Sequence, residues 1–430
     1  MTRLKRQSLA GGVACGLLLA GGPSTAHDSD VEALEARVSE LEIMLQQLLD
    51  DKQAEKVAAP APQSDPVANQ PAPESTYAFG GYIKFDAMFS DYSGGDLAPG
   101  SAGTQFYIPA TVPVGGMAIE GPDSDLQGRE SRINFTSKHR LASGASVRTF
   151  LELDFFLGPG GDERVSNSFN PRLRHAFFEY NNWLFGQTWS TFQDAGALPE
   201  NVDFIGPAES TVFVRQPQVR YTNGAWEFAA ENPETTITPF GGGSRLVSDD
   251  GAFPDLVARY TGSLDNGYIK AAALFRRLCY GGDGVDDEEM GLGISLSGKH
   301  MFGQDDLRWM ATWGSGTGRY LGLNTSAGAV IDGNDQLQAI DQWGAFVSYR
   351  HFWNDQWRSN LTYGYLNNEN QTGLTGTEVT RNVYSVHVNL LYSPIPKLTI
   401  GGEILFAERT LESDESGDMT RVLLSGKYAF

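Results

Sequence analysis

The chain has 430 residues, 40% of them hydrophobic, and a formal charge of −21 with a pI near 4.6. That acidity argues against nucleic acid as a partner, and no run of about 18 apolar residues is present that could cross a membrane as a helix.

Arg3, Lys5 and Arg6 precede an apolar stretch from Leu9 to Ala20, and Ser24, Thr25 and Ala26 supply the small residues a signal peptidase reads. The pattern predicts a signal peptide over 1–26, the alternative being an N-terminal anchor. Its removal takes three cations and no anions, moving the charge from −21 to −24. Cys15 leaves with it; its surroundings fit a lipobox poorly. Cys279 then remains alone, so no internal disulfide is expected in an exported chain.

Residues 27–53 form the one strongly helical stretch. Ser29 and Glu32 make a capping box, and Val31, Leu34, Val38, Leu41, Leu45 and Leu48 alternate at a and d positions of a short coiled coil. A single amphipathic helix is the alternative. The Val and Leu choices lean toward a dimer, although about three heptads is near the lower limit for a stable coil. Residues 54–76, with Pro60, Pro62, Pro66, Pro71 and Pro73, read as an extended spacer.

From 77 to 430 the sequence is strand after strand. Period-two alternation marks 79–91, 129–140, 145–156, 171–180, 182–189, 213–223, 225–231, 255–263, 266–277, 289–300, 306–315, 340–352, 356–366, 381–393, 397–408 and 419–430. That even count suits a closed antiparallel barrel. Short turns, among them Ser143-Gly144, Asn181-Asn182, Asn223-Gly224 and Asn354-Asp355, follow the even-numbered strands, while mostly longer acidic or Gly-rich links follow the odd ones. One tight rim and one shaggy rim are the marks of a 16-stranded transmembrane β-barrel of the outer membrane. RVLLSGKYAF, ending on Phe430, alternates to an aromatic that would pair with the first strand at the interfacial belt. It also looks like the signal such barrels present to their assembly machinery. A soluble sandwich or propeller would not need that ending.

An arginine facing lipid near the midplane costs roughly 2–4 kcal/mol, so the charged face of each strand must line the lumen. This rule turns Lys84, Asp86, Arg132, Arg148, Glu152, Asp154, Arg172, Arg174, Arg220 and Arg259 inward. The arginines form a basic patch on one wall, suited to carboxylates. A purely structural role, neutralising Asp86, Glu152, Asp154, Glu227, Glu231 and Asp255, is the alternative. The 190–212 connection is the third long one. If it folds into the lumen, Asp194, Glu200, Asp203 and Glu209 would face the arginine wall across a constriction; otherwise it is an ordinary external loop.

GYIKFDAMFSD, GRESRINFTSK, RHAFFEYNNWLFGQTWSTF, RQPQVRYTNG with ENPET, the N-terminal heptads and the Pro-rich spacer together resemble the DcaP-like outer-membrane porins. The resemblance implies a homotrimer of 16-stranded barrels with a periplasmic N-terminal coil. It also implies uptake of small anions such as dicarboxylates through a basic constriction, carried here by Arg132, Arg148, Arg172, Arg174 and Arg220, with Arg215 depending on the register at Pro217.

No Ser–His–acid signature surrounds any histidine, so catalysis is not expected, and neither a cofactor nor a resident metal is called for. An outer-membrane barrel enzyme or an adhesin barrel is the alternative of another class. GSGTGR at 314–319 matches no phosphate loop. GGDGVDDEE at 281–289 reads as a solvated acidic loop, the alternative being a divalent cation held near lipopolysaccharide. A sugar or non-selective porin is the nearest rival, but its lumen would need a continuous aromatic strip, and the aromatics read as inward, such as Phe178 and Phe346, are scattered.

Overall fold

The computed structural model describes residues 74–430 apart from 99, 119–120, 158–159, 164 and 283–284. The signal peptide and the coiled coil lie outside the described residues, as does nearly all of the spacer.

Sixteen antiparallel strands close on themselves. They are β1 (Glu74–Tyr92), β2 (Asp123–Gln127 continued by Arg132–Arg140), β3 (Ser146–Asp154), β4 (Arg172–Tyr180), β5 (Trp183–Trp189), β6 (Arg215–Asn223), β7 (Trp226–Glu231) and β8 (Asp255–Leu264). The second half comprises β9 (Gly267–Gly282), β10 (Val285–Phe302), β11 (Asp305–Ser315), β12 (Asp341–Phe352), β13 (Trp357–Glu369), β14 (Thr380–Ile395), β15 (Leu398–Leu411) and β16 (Ser416–Ala429). Closure runs from Tyr82 opposite Ala429 to Tyr92 opposite Met419, and the Phe430 N–H donates to the Gly81 carbonyl at 3.1 Å. The register along the seam is unbroken, so no sheet edge is left open, as a spanning sheet requires.

Side chains alternate as expected of a barrel with an apolar exterior. Ile83, Phe85, Ile133, Leu151 and Leu424 are exposed on the outside, while Asp86, Asp154, Arg174 and Arg421 are buried within. Trp183, Trp226, Tyr260, Tyr349 and Trp357 ring the exterior near the short-turn rim, where amphipathic rings suit an interface.

Three sequence expectations need correction. First, β1 begins at Glu74, so Glu74, Ser75 and Thr76 belong to the sheet and not to the spacer; they pair with Arg140, His139 and Lys138 of the first hairpin. Second, β2 is broken at 128–131, where the Ser131 hydroxyl accepts from the Lys84 N–H (3.0 Å) and donates to the Lys84 carbonyl (3.2 Å) in place of the ladder. Third, the 281–289 stretch is no solvated loop. β9 and β10 extend through most of it, Asp287 accepts from the Leu337 N–H at 2.7 Å, and Glu288 pairs with Arg277.

The interior is not an open pipe. Phe106, Tyr107 and Val112 of the first long connection pack on Met88, Val383, Leu405 and Met419. Tyr320 and Leu321 of the 316–340 connection join Phe192, Val212, Leu274, Met310 and Phe346. Beyond them, Thr235–Thr238 and Ala329–Ile331 pair in parallel within a small four-stranded sheet of loop residues. A barrel wide enough to hold water is thus partly filled by its own loops.

Phe430 fixes the seam beside Gly81. Phe430→Ala is expected to lower the yield of folded, heat-modifiable barrel several-fold in gel electrophoresis of membrane fractions, whereas Val165→Ala at an exposed loop position leaves the yield unchanged.

Candidate functional site

The 190–212 connection folds into the lumen: Phe192, Ala197, Val202, Ile205, Ala208 and Glu209 are all buried. Gly364 on β13 makes room for it, since a Cβ there would lie 2.1 Å from Glu209 Oε1 and 2.7 Å from Pro207 Cβ. Gly344 on β12 similarly faces the backbone of Ser210.

The loop's acids turn away from the arginine wall, contrary to the sequence expectation. Asp194 binds Lys270 on β9 (2.8 Å) and Ser297 on β10 (2.9 Å). Glu200 receives Arg350 of β12 (2.8 Å) and Arg358 of β13 (2.9 Å), and its carbonyl accepts from Asn360 and Asn389, both at 2.9 Å. Asp203 accepts from the Tyr107 N–H at 2.9 Å, and Glu209 from the Ser385 hydroxyl of β14 at 2.8 Å. The physical reason is local supply. Inward positions on β9 and β11–β13 carry Lys270, Arg308, Arg350 and Arg358, which the same alternation rule would have found.

The attachment continues through Glu403 on β15. It accepts from the Val202 N–H at 2.6 Å and the Asp203 N–H at 3.3 Å, and touches His387 at 3.0 Å. Arg358 and Arg350 hold the Glu200 carboxyl below its ordinary range against the upward push of burial. Burial pushes Glu209 up to about 7, against the opposing pull of His387 and Ser385.

Across from the loop, the arginines of β2, β4 and β6 gather. Arg172 grips Asp154 through two bonds of 2.8 and 2.7 Å, and Arg174 joins Glu152 (2.7 Å) to Asp154 (2.9 Å). Arg132 reaches Glu152 only at 3.8 Å. Arg215 has no ion-pair partner among the described residues and lies over the Trp189 ring at 4.5 Å, the same ring that Arg174 approaches at 5.6 Å. Pro217 does not shift its register: it sits opposite Gln187, with Arg215 opposite Trp189. Three guanidiniums therefore share two carboxylates, and the fourth, Arg215, adds its charge unpaired. What the loop presents to them is Phe204, with Arg132 and Arg174 each 5.5 Å from its centroid.

The remaining sequence-predicted residues stand apart from this cluster. Arg148 pairs with Glu179 at 3.0 Å close to the short-turn rim, and Arg259 and Arg220 share Glu227. Arg259 also donates to the Gln193 carbonyl at the loop's start (2.6 Å). Lys84 binds Glu130, Asp86 (3.4 Å) and the Val202 carbonyl (2.9 Å). A bulge at β4 brings Arg174 and His175 both inward, which reverses the parity beyond it. Phe178 consequently faces out, stacked on Phe185, a correction that alternation alone could not supply.

The docked loop favours the protonated Glu209. A carboxyl raised from 4.5 to about 7 stabilises docking fully below pH 4.5 and loses that contribution, roughly 3 kcal/mol, as pH rises to 7. Hydrogen exchange of 198–212, corrected for intrinsic rates, is expected to accelerate between pH 5 and 8, and Glu209→Gln to remain protected throughout.

The family model for the DcaP outer membrane protein matches residues 126–430. Among solved structures, the outer membrane channel DcaP of Acinetobacter baumannii superposes with a TM-score of 0.68 at 22% identity, over 83% of this chain and 97% of that one. The anion-selective porin from Comamonas acidovorans gives 0.53 at 11% identity, over 83% and 100%. No curated protein matches by sequence. With its closed sixteen-strand barrel and inward-folded loop, the chain belongs to the DcaP outer membrane protein family and is a porin-type channel of the outer membrane.

Proposed function

We propose that this channel passes small anionic solutes, dicarboxylates among them, by diffusion. The observation that carries the reading is the surplus of guanidinium over carboxylate among Arg132, Arg172, Arg174 and Arg215, opposite Phe204. Confined charge in a low-dielectric wall outweighs distant loop acids, which salt screens over about 8 Å. Binding must stay weak, in the millimolar range, for a solute to leave. A sugar channel is disfavoured because the guanidiniums lie against the rings of Phe204 and Trp189, the surfaces a sugar would need.

Replacing Arg172 and Arg174 with alanine should shift the zero-current potential in a salt gradient toward cations and abolish block by succinate. Because that change strands the buried Asp154, Arg215→Gln is the cleaner variant; it removes a cation without leaving a carboxylate unpaired and should shift the potential the same way. An unmodified channel that prefers cations and ignores dicarboxylates would leave the arginines a purely structural role.

We also propose a homotrimer set by the barrel walls, with the short-turn rim and the N-terminal coil in the periplasm. Lipopolysaccharide would surround the long loops, and the assembly machinery would recognise the strand ending in Phe430. A weak coil on flexible spacers follows the stoichiometry of the barrels. Since Glu74 already belongs to β1, the informative truncation removes 27–73. Light scattering should give a trimer mass with and without that segment; a dimer that becomes monomeric on truncation would assign assembly to the coil.

A further inference from the structure

We infer that the lumen holds a second anion-binding station, toward the short-turn rim, in which Lys427 and Arg132 flank the ring of Tyr82. This rests on the reading of the channel as an anion path.

A recess of about 270 Å³ lies between the loop segment Pro199–Phe204 and the ends of β1, β15 and β16. Its wall carries three cations, Lys84, Arg132 and Lys427, and three acids, Glu130, Glu200 and Asp203. Formal charges cancel, yet the groups are not equally free. Glu130 is engaged by Lys84 and by the Tyr82 hydroxyl (3.1 Å), Glu200 by Arg350 and Arg358, and Asp203 by the Tyr107 N–H. Lys84 is bound to Glu130 and Asp86.

One cation remains without an ion pair and a second is held only loosely, Arg132 reaching Glu152 at 3.8 Å. Lys427 has no ion-pair partner among the described residues; its ammonium lies 5.3 Å from the Tyr82 centroid, and the residue is exposed where it lines the recess. Arg132 lies 5.2 Å from the same ring, and its Nε is buried without a hydrogen-bond partner. Two like charges gathered at one ring, with every nearby acid already occupied, make a place for an anion.

Arg132 also touches Phe204, beside Arg174. It therefore belongs to both sites. A carboxylate leaving Arg172 and Arg174 meets Arg132 next, and Lys427 offers the following contact on the way out. Two weak stations in series let a solute leave without ever becoming fully unbound from positive charge.

The test is succinate block of single channels of known orientation, with succinate added to one side at a time. For Lys427→Met we expect block from the short-turn side to weaken about three- to fivefold, as loss of one screened charge contact implies. Block from the long-loop side should hold within twofold, and Lys427→Arg should restore the wild-type asymmetry. If wild type is blocked from both sides and Lys427→Met is indistinguishable from it, or loses block equally from both sides, the station is wrong while the anion path stands. If wild type is neither blocked nor anion-selective, the anion path itself fails and the station falls with it.

Discussion

The structure turns on where the carboxylates of the 190–212 loop find their partners. A charge taken into a barrel interior must be paired or hydrogen-bonded, because unpaired burial is expensive. Glu200 meets that demand with Arg350 and Arg358, and Asp194 with Lys270. Had these acids turned to the opposite wall, they would have neutralised Arg132, Arg172, Arg174 and Arg215. Because they bind the wall beneath the loop, the other wall keeps its positive surplus. The ion pairs that position the loop and the field that the lumen presents are two results of one arrangement.

Packing reinforces this choice of side. Gly344 and Gly364 leave clearance for the loop on β12 and β13, and the backbone amides of Val202 and Asp203 close onto Glu403. Tyr320, from another long connection, fills space next to Phe192 and donates to Asp255 at 2.9 Å. Leu321 bridges to Val212 at the loop's far end. Apolar and polar contacts together commit one side of the lumen to holding the loop, which leaves the arginine side free of the loop's carboxylates.

Much of the barrel was legible in the sequence because its signals are local. Alternation found all sixteen strands, including the weakly marked Trp183–Trp189 and Asp305–Ser315, and the turn residues found the tight rim. The inward assignments of Arg172, Arg174 and Arg220 follow from the same period. The failures share a cause as well: each depends on a contact distant in sequence or on a break in the period. The bulge at Arg174 and His175 turned Phe178 outward, and the interruption at 128–131 split β2. Nothing near Asp194 or Glu200 in the chain announces Lys270 or Arg350, although the inward glycines of β12 and β13 were a signal that something would press against them.

The central claim is that the space between Phe204 and the arginine wall is locally positive in a protein of strongly negative net charge. The direct measurement is the rate at which a cysteine at position 204 reacts with small thiol reagents of opposite charge, in a Cys279→Ser background. The account predicts that Phe204→Cys reacts faster with the anionic reagent than with the cationic one, relative to their rates on a free thiol, and that the ratio falls at high salt. Faster reaction with the cationic reagent would contradict it.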